Sequence, residues 1–231
     1  MMPADASALD LVFSGDPTLL AIVRLSLAVS LSATLLAALL GAPLGALLAL
    51  SRFPGRQAVV VALNALMGLP PVVAGLAIYL LLSRSGPLGE LGLLFTPQAM
   101  VITQTLLVLP IIAALTRQTV EDLWVEYRDE LAAMGVGPLR RVGTLLWDAR
   151  FSLVTALLAG FGRAAAEVGS IIIVGGNIEG FTRTMTTSIA LETSRGNLPL
   201  AMGLGLVLIG IVLLVNVGAW AVRQAGSRYE Q

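Results

Sequence analysis

Four stretches of this chain, residues 25–51, 57–83, 91–116 and 196–222, contain no charged residue. Each is longer than the roughly 20 apolar residues that a helix needs to cross the hydrocarbon of a bilayer. A fifth stretch, 151–178, is equally apolar but is interrupted by Arg163 and Glu167. Charged residues make up only 12% of the sequence against 57% hydrophobic, whereas a soluble domain carries about 25% charge. The pattern predicts an all-α, polytopic membrane bundle of about five spanning helices, near 19–49, 58–82, 97–116, 152–175 and 199–222.

Absences narrow the chemistry. The sequence has no Cys and no His, and all fourteen of its basic residues are Arg. Thiolate chemistry and the commonest general base and metal ligand are therefore missing, and no catalytic residue, metal site or cofactor is expected on this chain. A phosphate-binding loop needs a Lys to reach the nucleotide phosphates, so any ATP that drives this protein is expected on another chain. The formal net charge is zero, which offers no basic footprint for nucleic acid. The first seventeen residues hold Asp5, Asp10 and Asp16 and no basic residue. A secretory signal would start with a positive region, so the first span is expected to be a retained anchor.

Arginine placement predicts orientation. With the N-terminus outside, the inner segments hold Arg52, Arg56, Arg117, Arg128, Arg140, Arg141, Arg150, Arg223 and Arg228, and the outer ones only Arg84, Arg183 and Arg195. An excess of Arg marks the cytoplasmic side. The expected organisation is an external segment 1–18, a membrane domain 19–222 with a cytoplasmic loop 117–150, and a cytoplasmic tail 223–231.

That loop is the one substantial polar segment. Val120, Leu123, Trp124, Tyr127, Leu131 and Met134 recur at spacings of three and four, and Glu121, Asp122, Glu126, Arg128, Asp129 and Glu130 occupy the other face. This predicts an amphipathic helix. Gly135-Val136-Gly137-Pro138 stops it, and Leu139, Val142, Leu145, Leu146 and Ala149 begin a second stripe. By the stripe alone, the hairpin could lie on the bilayer surface, with Trp124 and Tyr127 at the interface, or dock on a partner.

The stretch Asp129-Glu130-Leu131-Ala132-Ala133-Met134-Gly135, with Gly137 after it, resembles the "EAA" loop of ABC importer permeases. The usual Leu-Pro near the end of that motif is Trp147-Asp148 here. The segment Gly160-Phe161-Gly162-Arg163-Ala164-Ala165-Ala166-Glu167-Val168-Gly169, continuing through Val174-Gly175-Gly176-Asn177-Ile178 and Thr182-Arg183-Thr184-Met185-Thr186-Thr187, is similar to the hallmark region of tungstate-type permeases and, less closely, of molybdate permeases. The resemblance runs from about Arg24 to Trp220. It implies the permease subunit of a bacterial or archaeal oxyanion importer in the cell membrane, of the type I, binding-protein-dependent class. It also implies a homodimer served by two ATP-binding subunits and by a periplasmic or lipid-anchored substrate-binding protein. Asp129, Glu130, Ala132, Ala133, Gly135 and Gly137 would couple the ATPase to the membrane helices.

Other positions admit two readings. Arg163 and Glu167 are four apart, which puts them on one face of a helix. Such residues either neutralise each other structurally or border a translocation path or dimer seam. Gly68-Leu69-Pro70-Pro71 breaks the second span near its middle, where Gly68, Pro70 and Pro71 form either a gate or a simple kink. Pro110 interrupts the third span, and Gly41-Ala42-Pro43 in the first reads as helix packing. The segment 179–198, rich in Thr and Ser, could meet a binding protein or be a solvated loop. Gly160, Gly162 and Ala165 match a dinucleotide-binding spacing, but that fingerprint has meaning only between a strand and a helix, and here it lies in an apolar helix.

Two other functions compete. A stand-alone channel or secondary transporter would use the broken spans but leave the loop without a purpose. A membrane enzyme would have only carboxylates, hydroxyls and Arg to work with.

Overall fold

A computed structural model describes residues 17–227, with the side chains of residues 222, 223 and 225–227 left aside. Residues 1–16, most of the expected external segment, and the end of the expected tail, 228–231, lie outside the described residues. Within the described residues all regular structure is helical. The helices are α1 (Pro17–Leu50), α2 (Arg56–Met67), α3 (Pro71–Leu82), α4 (Pro97–Ala133), α5 (Pro138–Asp148), α6 (Arg150–Ala165), α7 (Gly169–Gly175), α8 (Met185–Ser194) and α9 (Leu198–Ser227). Three of them, α1, α4 and α9, are long and apolar enough to cross a membrane. The pairs α2–α3, bent by 99°, and α5–α6, bent by 75°, raise the number to as many as five.

One break stands where the sequence placed it, and two further elements differ from the sequence reading. The expected span 58–82 is two helices of 12 residues each. Gly68 and Leu69 close α2 by donating to Ala65 and Leu66, and extended Pro70 precedes Pro71 in the first position of α3. A proline before another proline cannot take helical geometry easily, so the run forces the break. The expected span 152–175 is also broken, at Ala166-Glu167-Val168, between α6 and α7. Third, the amphipathic stretch after residue 117 is no separate element, because α4 runs unbroken for 37 residues through Pro110 to Ala133.

The chain forms two compact units. Among the described residues the first comprises 17–33, 70–104 and 162–217. Its core gathers Val29, Ile78, Leu82, Ala99, Met100, Ile171 and Val174, and Leu19, Leu200 and Leu204 make a second cluster. Helices α3 and α7 lie backbone to backbone, since a methyl group on Gly75 would come 2.7 Å from Ser170 Cα. Gly175 of α7 is covered by α4, where a methyl group would come 3.0 Å from Met100 Sδ. Small residues let helices approach this closely where lipid supplies no hydrophobic drive.

Among the described residues the second unit comprises 34–69, 105–161 and 218–227. Here Gly41 and Gly45 flank Pro43 and press α1 onto α4. A methyl group on Gly41 would meet the Leu109 carbonyl oxygen at 3.0 Å, and one on Gly45 would collide with that of Ala113. Gly41-Ala42-Pro43 thus serves packing, as its composition suggests. Gly160 fits against Val108 and Ile112 in the same way.

Candidate functional site

Two regions hold the residues singled out in the sequence. The first is an elbow in the second unit, built from the end of α4 and from α5. The stripe foreseen on α4 is buried, but against protein: Val120, Leu131 and Leu145 form a core with Ala46 and Ala49 of α1, and Leu123, Trp124, Tyr127, Val142 and Leu146 pack around it. Met134 departs from the stripe and is 73% exposed. Glu121, on the polar face, is bridged by both Arg56 and Arg117, which pins α4 to the start of α2.

The turn between α4 and α5 closes as the glycines require. Gly135 adopts φ 66°, a left-handed conformation available to Gly at little cost. Val136 N–H donates to the Leu131 carbonyl at 3.0 Å, and Gly135 N–H donates to Ala132 at 3.0 Å. From α5, Arg141 Nε donates to the Val136 carbonyl at 2.7 Å while its guanidinium lies 5.4 Å from the centre of the Trp124 ring. The elbow is therefore rigid, and its outer surface is open. Asp129, Glu130, Ala132, Ala133, Gly135 and Gly137 are all exposed there. Leu139, at the start of α5, is 80% exposed, and Trp147, at its far end, is 68% exposed. The six residues read as coupling positions are thus brought together on one surface that joins two carboxylates to bare apolar side chains. Leu139 and Trp147 were not singled out as surface groups, because the second stripe suggested that Leu139 would be buried.

The second region lies in the first unit, around the starts of α3 and α7. A methyl group on Gly169 would sit 3.0 Å from Val72 Cγ2, so the chain just after Pro71 meets the chain just after Glu167. Glu167 is buried and lies outside any helix. Its Oε1 accepts from Ser170 N–H at 3.1 Å, its backbone carbonyl accepts from the Thr186 hydroxyl at 2.8 Å, and its Oε2 stands 4.0 Å from Arg163. The break frees the Ala164 carbonyl, which accepts from Gln104 Nε2 at 2.9 Å and from Glu167 N–H at 3.2 Å. Inside a bilayer a freed carbonyl has to be satisfied by protein, and that of Ala164 is, by Gln104 and Glu167. Gly68 closes α2 in the second unit, and Pro70 and Pro71 open α3 in the first.

The hydroxyl-rich segment is no solvated loop. Thr182, Thr184, Thr186, Thr187 and Ser188 are buried. The Thr182 hydroxyl donates to Gly175 and accepts from Ile178 N–H, and Thr184 and Thr187 form a capping box at the start of α8. Thr193 and Ser194 remain exposed and bond back to their own helix. Sequence reasoning missed Gln104 and Thr186 as braces of the break. The signal available was their polar character within or beside apolar segments.

Among the described residues no cluster of three or more Asp or Glu is placed to hold a metal. The arrangement consists of apolar helices, two of the expected spans interrupted, and a hydrogen-bonded elbow whose outer surface is exposed. These features define a polytopic, all-helical membrane protein. No family model matches the chain. Over 203 residues it is 42% identical to a probable anion ABC transporter permease protein of Haloferax volcanii, covering 86% of this chain and 88% of the relative. It is 38% identical over 218 residues to the tungstate uptake system permease protein TupB of Peptoclostridium acidaminophilum, covering 94% and 96%. Against TupB of Campylobacter jejuni the identity is 38% over 209 residues, covering 90% and 87%. The chain belongs to the ABC transporter permease family.

Proposed function

We propose that this chain is the translocating subunit of an ATP-driven importer for an oxyanion, with tungstate the favoured cargo and molybdate the next. The observation that carries the reading is likeness to two tungstate uptake permeases over nine-tenths or more of this chain. Two copies would form the pathway, since five spans enclose little space and symmetric pairs are the commonest assembly. Two ATP-binding subunits would dock on the elbows. The acidic Asp129 and Glu130, together with Ala132, Ala133, Gly135 and Gly137, would take part in that contact, with Met134 and Leu139 as apolar anchors. An external binding protein would deliver the anion, and ATP would be held by the partner subunits. The N-terminus would face outward and the elbow the cytoplasm, in line with the arginine excess.

In this reading the chain makes and breaks no bonds. It alternates between outward and inward openings as the ATPases close and reopen. Arg163, Glu167, Gly68, Pro70 and Pro71 would border the path or its gate. The test is uptake by vesicles containing the permease, its ATPase and its binding protein. Tungstate accumulation that requires ATP and is competed by molybdate more strongly than by sulfate is expected. Accumulation by the permease alone, or a preference for sulfate, would overturn the reading.

A further inference from the structure

We propose that the second unit holds one acyl chain of an anionic phospholipid in a groove beside the end of α1, with the lipid phosphate drawn to Arg52. This inference is independent of the anion transported. The groove, of about 310 Å³, lies among Leu44, Leu47, Val59, Leu63, Leu109 and Ala113, a volume in the range of small-molecule sites. Leu44, Leu47 and Val59 are exposed. Exposed leucine and valine in a spanning chain suit lipid tails, which are as apolar as they are. Only one lining side chain is polar: Ser51, where α1 has just ended, and Phe53 lines the same end. Arg52 stands between these two residues in sequence and is exposed.

Charge distinguishes this end of the groove. Arg56 donates from Nε to the carbonyl of Leu48, a lining residue, at 2.9 Å, and its guanidinium is shared with Glu121. Arg117 also pairs with Glu121. Arg56 thus stands at the groove's edge and shares one carboxylate, Glu121, with Arg117. Arg52, between the lining residues Ser51 and Phe53 in sequence, makes no ion pair among the described residues, which leaves a positive excess in this stretch. A neutral helix laid over the groove would leave this excess unanswered. A phosphodiester at the head of an acyl chain answers both the positive rim and the apolar floor, and basic pockets between spanning helices take such headgroups.

The experiment uses the full chain, delipidated in detergent and titrated with phosphatidylglycerol or phosphatidylcholine of the same acyl composition, with bound lipid read by native mass spectrometry. Phosphatidylglycerol is expected to be retained preferentially by the wild type. Arg52→Gln should reduce that preference by roughly fivefold, one cation's worth of attraction. Leu63→Trp, which fills the groove, should remove the bound lipid while helix content by circular dichroism stays unchanged. Equal retention of the two lipids, or an Arg52→Gln variant with unaltered preference, overturns the proposal. So does disulfide cross-linking between copies through Leu47→Cys and Val59→Cys that added phosphatidylglycerol does not reduce, because a second copy would then cover the groove.

Discussion

At the residue scale, Glu167 shows how position in the chain reveals only some of a residue's partners. Four residues after an arginine in an apolar run, it invites reading as half of an ion pair on one helix face. The helix ends first, and the carboxylate turns to the Ser170 N–H, at 3.1 Å, with Arg163 farther away at 4.0 Å. Glutamine can accept the same bond and alanine cannot. Glu167→Ala is therefore expected to lower the melting temperature of the purified protein, by about 1–3 kcal/mol of lost stability, and Glu167→Gln by much less. Equal losses in the two variants would mean that the negative charge matters more than the bond. Gly75 gives a cleaner case. The atom nearest an added methyl group is Ser170 Cα, which no rotamer change can move aside. Gly75→Ala should cost about 1–3 kcal/mol through overpacking, measured as a drop in thermal midpoint. Gly205→Ala, where nothing lies within 4 Å of the added carbon, serves as the neutral control.

At the element scale, the elbow combines an inner face centred on buried Val120, Leu131 and Leu145 with an exposed outer one. Its integrity rests on Leu145, fully buried, and its contact surface on Met134 and Leu139. These can be altered separately. Met134→Asp with Leu139→Asp should leave helix content and thermal stability nearly unchanged, yet abolish co-purification with the ATPase and ATP-dependent uptake. Retained co-purification would show that docking lies elsewhere. Much of this element was legible in the sequence, since the 3–4 spacing from Val120 to Leu131 and the stop at Gly135 both appear in the structure. What the stripe packs against was not legible. Ala46 and Ala49 sit about 75 residues earlier in a helix whose small residues advertise no partner. The broken spans show the complementary failure. Hydropathy windows sum over residues and are blind to direction, so 58–82 and 152–175 scored as single elements. Pro70-Pro71 signalled the first break locally. Ala166-Glu167-Val168 gave no such signal, because the break is held by Gln104 and Thr186, which are distant in sequence.

At the scale of the whole molecule, the absence of Cys makes orientation directly measurable. A single Leu139→Cys variant should react with a membrane-impermeant maleimide only after cells are permeabilised, and Ser85→Cys should react in intact cells. The reverse pattern would invert the proposed topology and remove the elbow from the side where ATP is made. Number and position of the apolar stretches followed from charge placement alone, because the cost of a charge in hydrocarbon dominates every local preference. The division into two compact units did not follow, since α1 and α4 each contribute residues to both.

The break at Gly68-Leu69-Pro70 bears on how the chain enters the bilayer during synthesis. A helix of 12 residues reaches only about 18 Å, well short of the hydrocarbon thickness. A nascent polypeptide that has emerged only as far as Met67 holds an apolar stub that cannot anchor itself, and α3 is no longer. Stable integration of this part has to await later segments: α1 already holds a ribosome-stalled intermediate ending near residue 90 in the membrane, but a Val72→Cys thiol in that intermediate should stay open to a water-soluble maleimide and become protected once α4 is included.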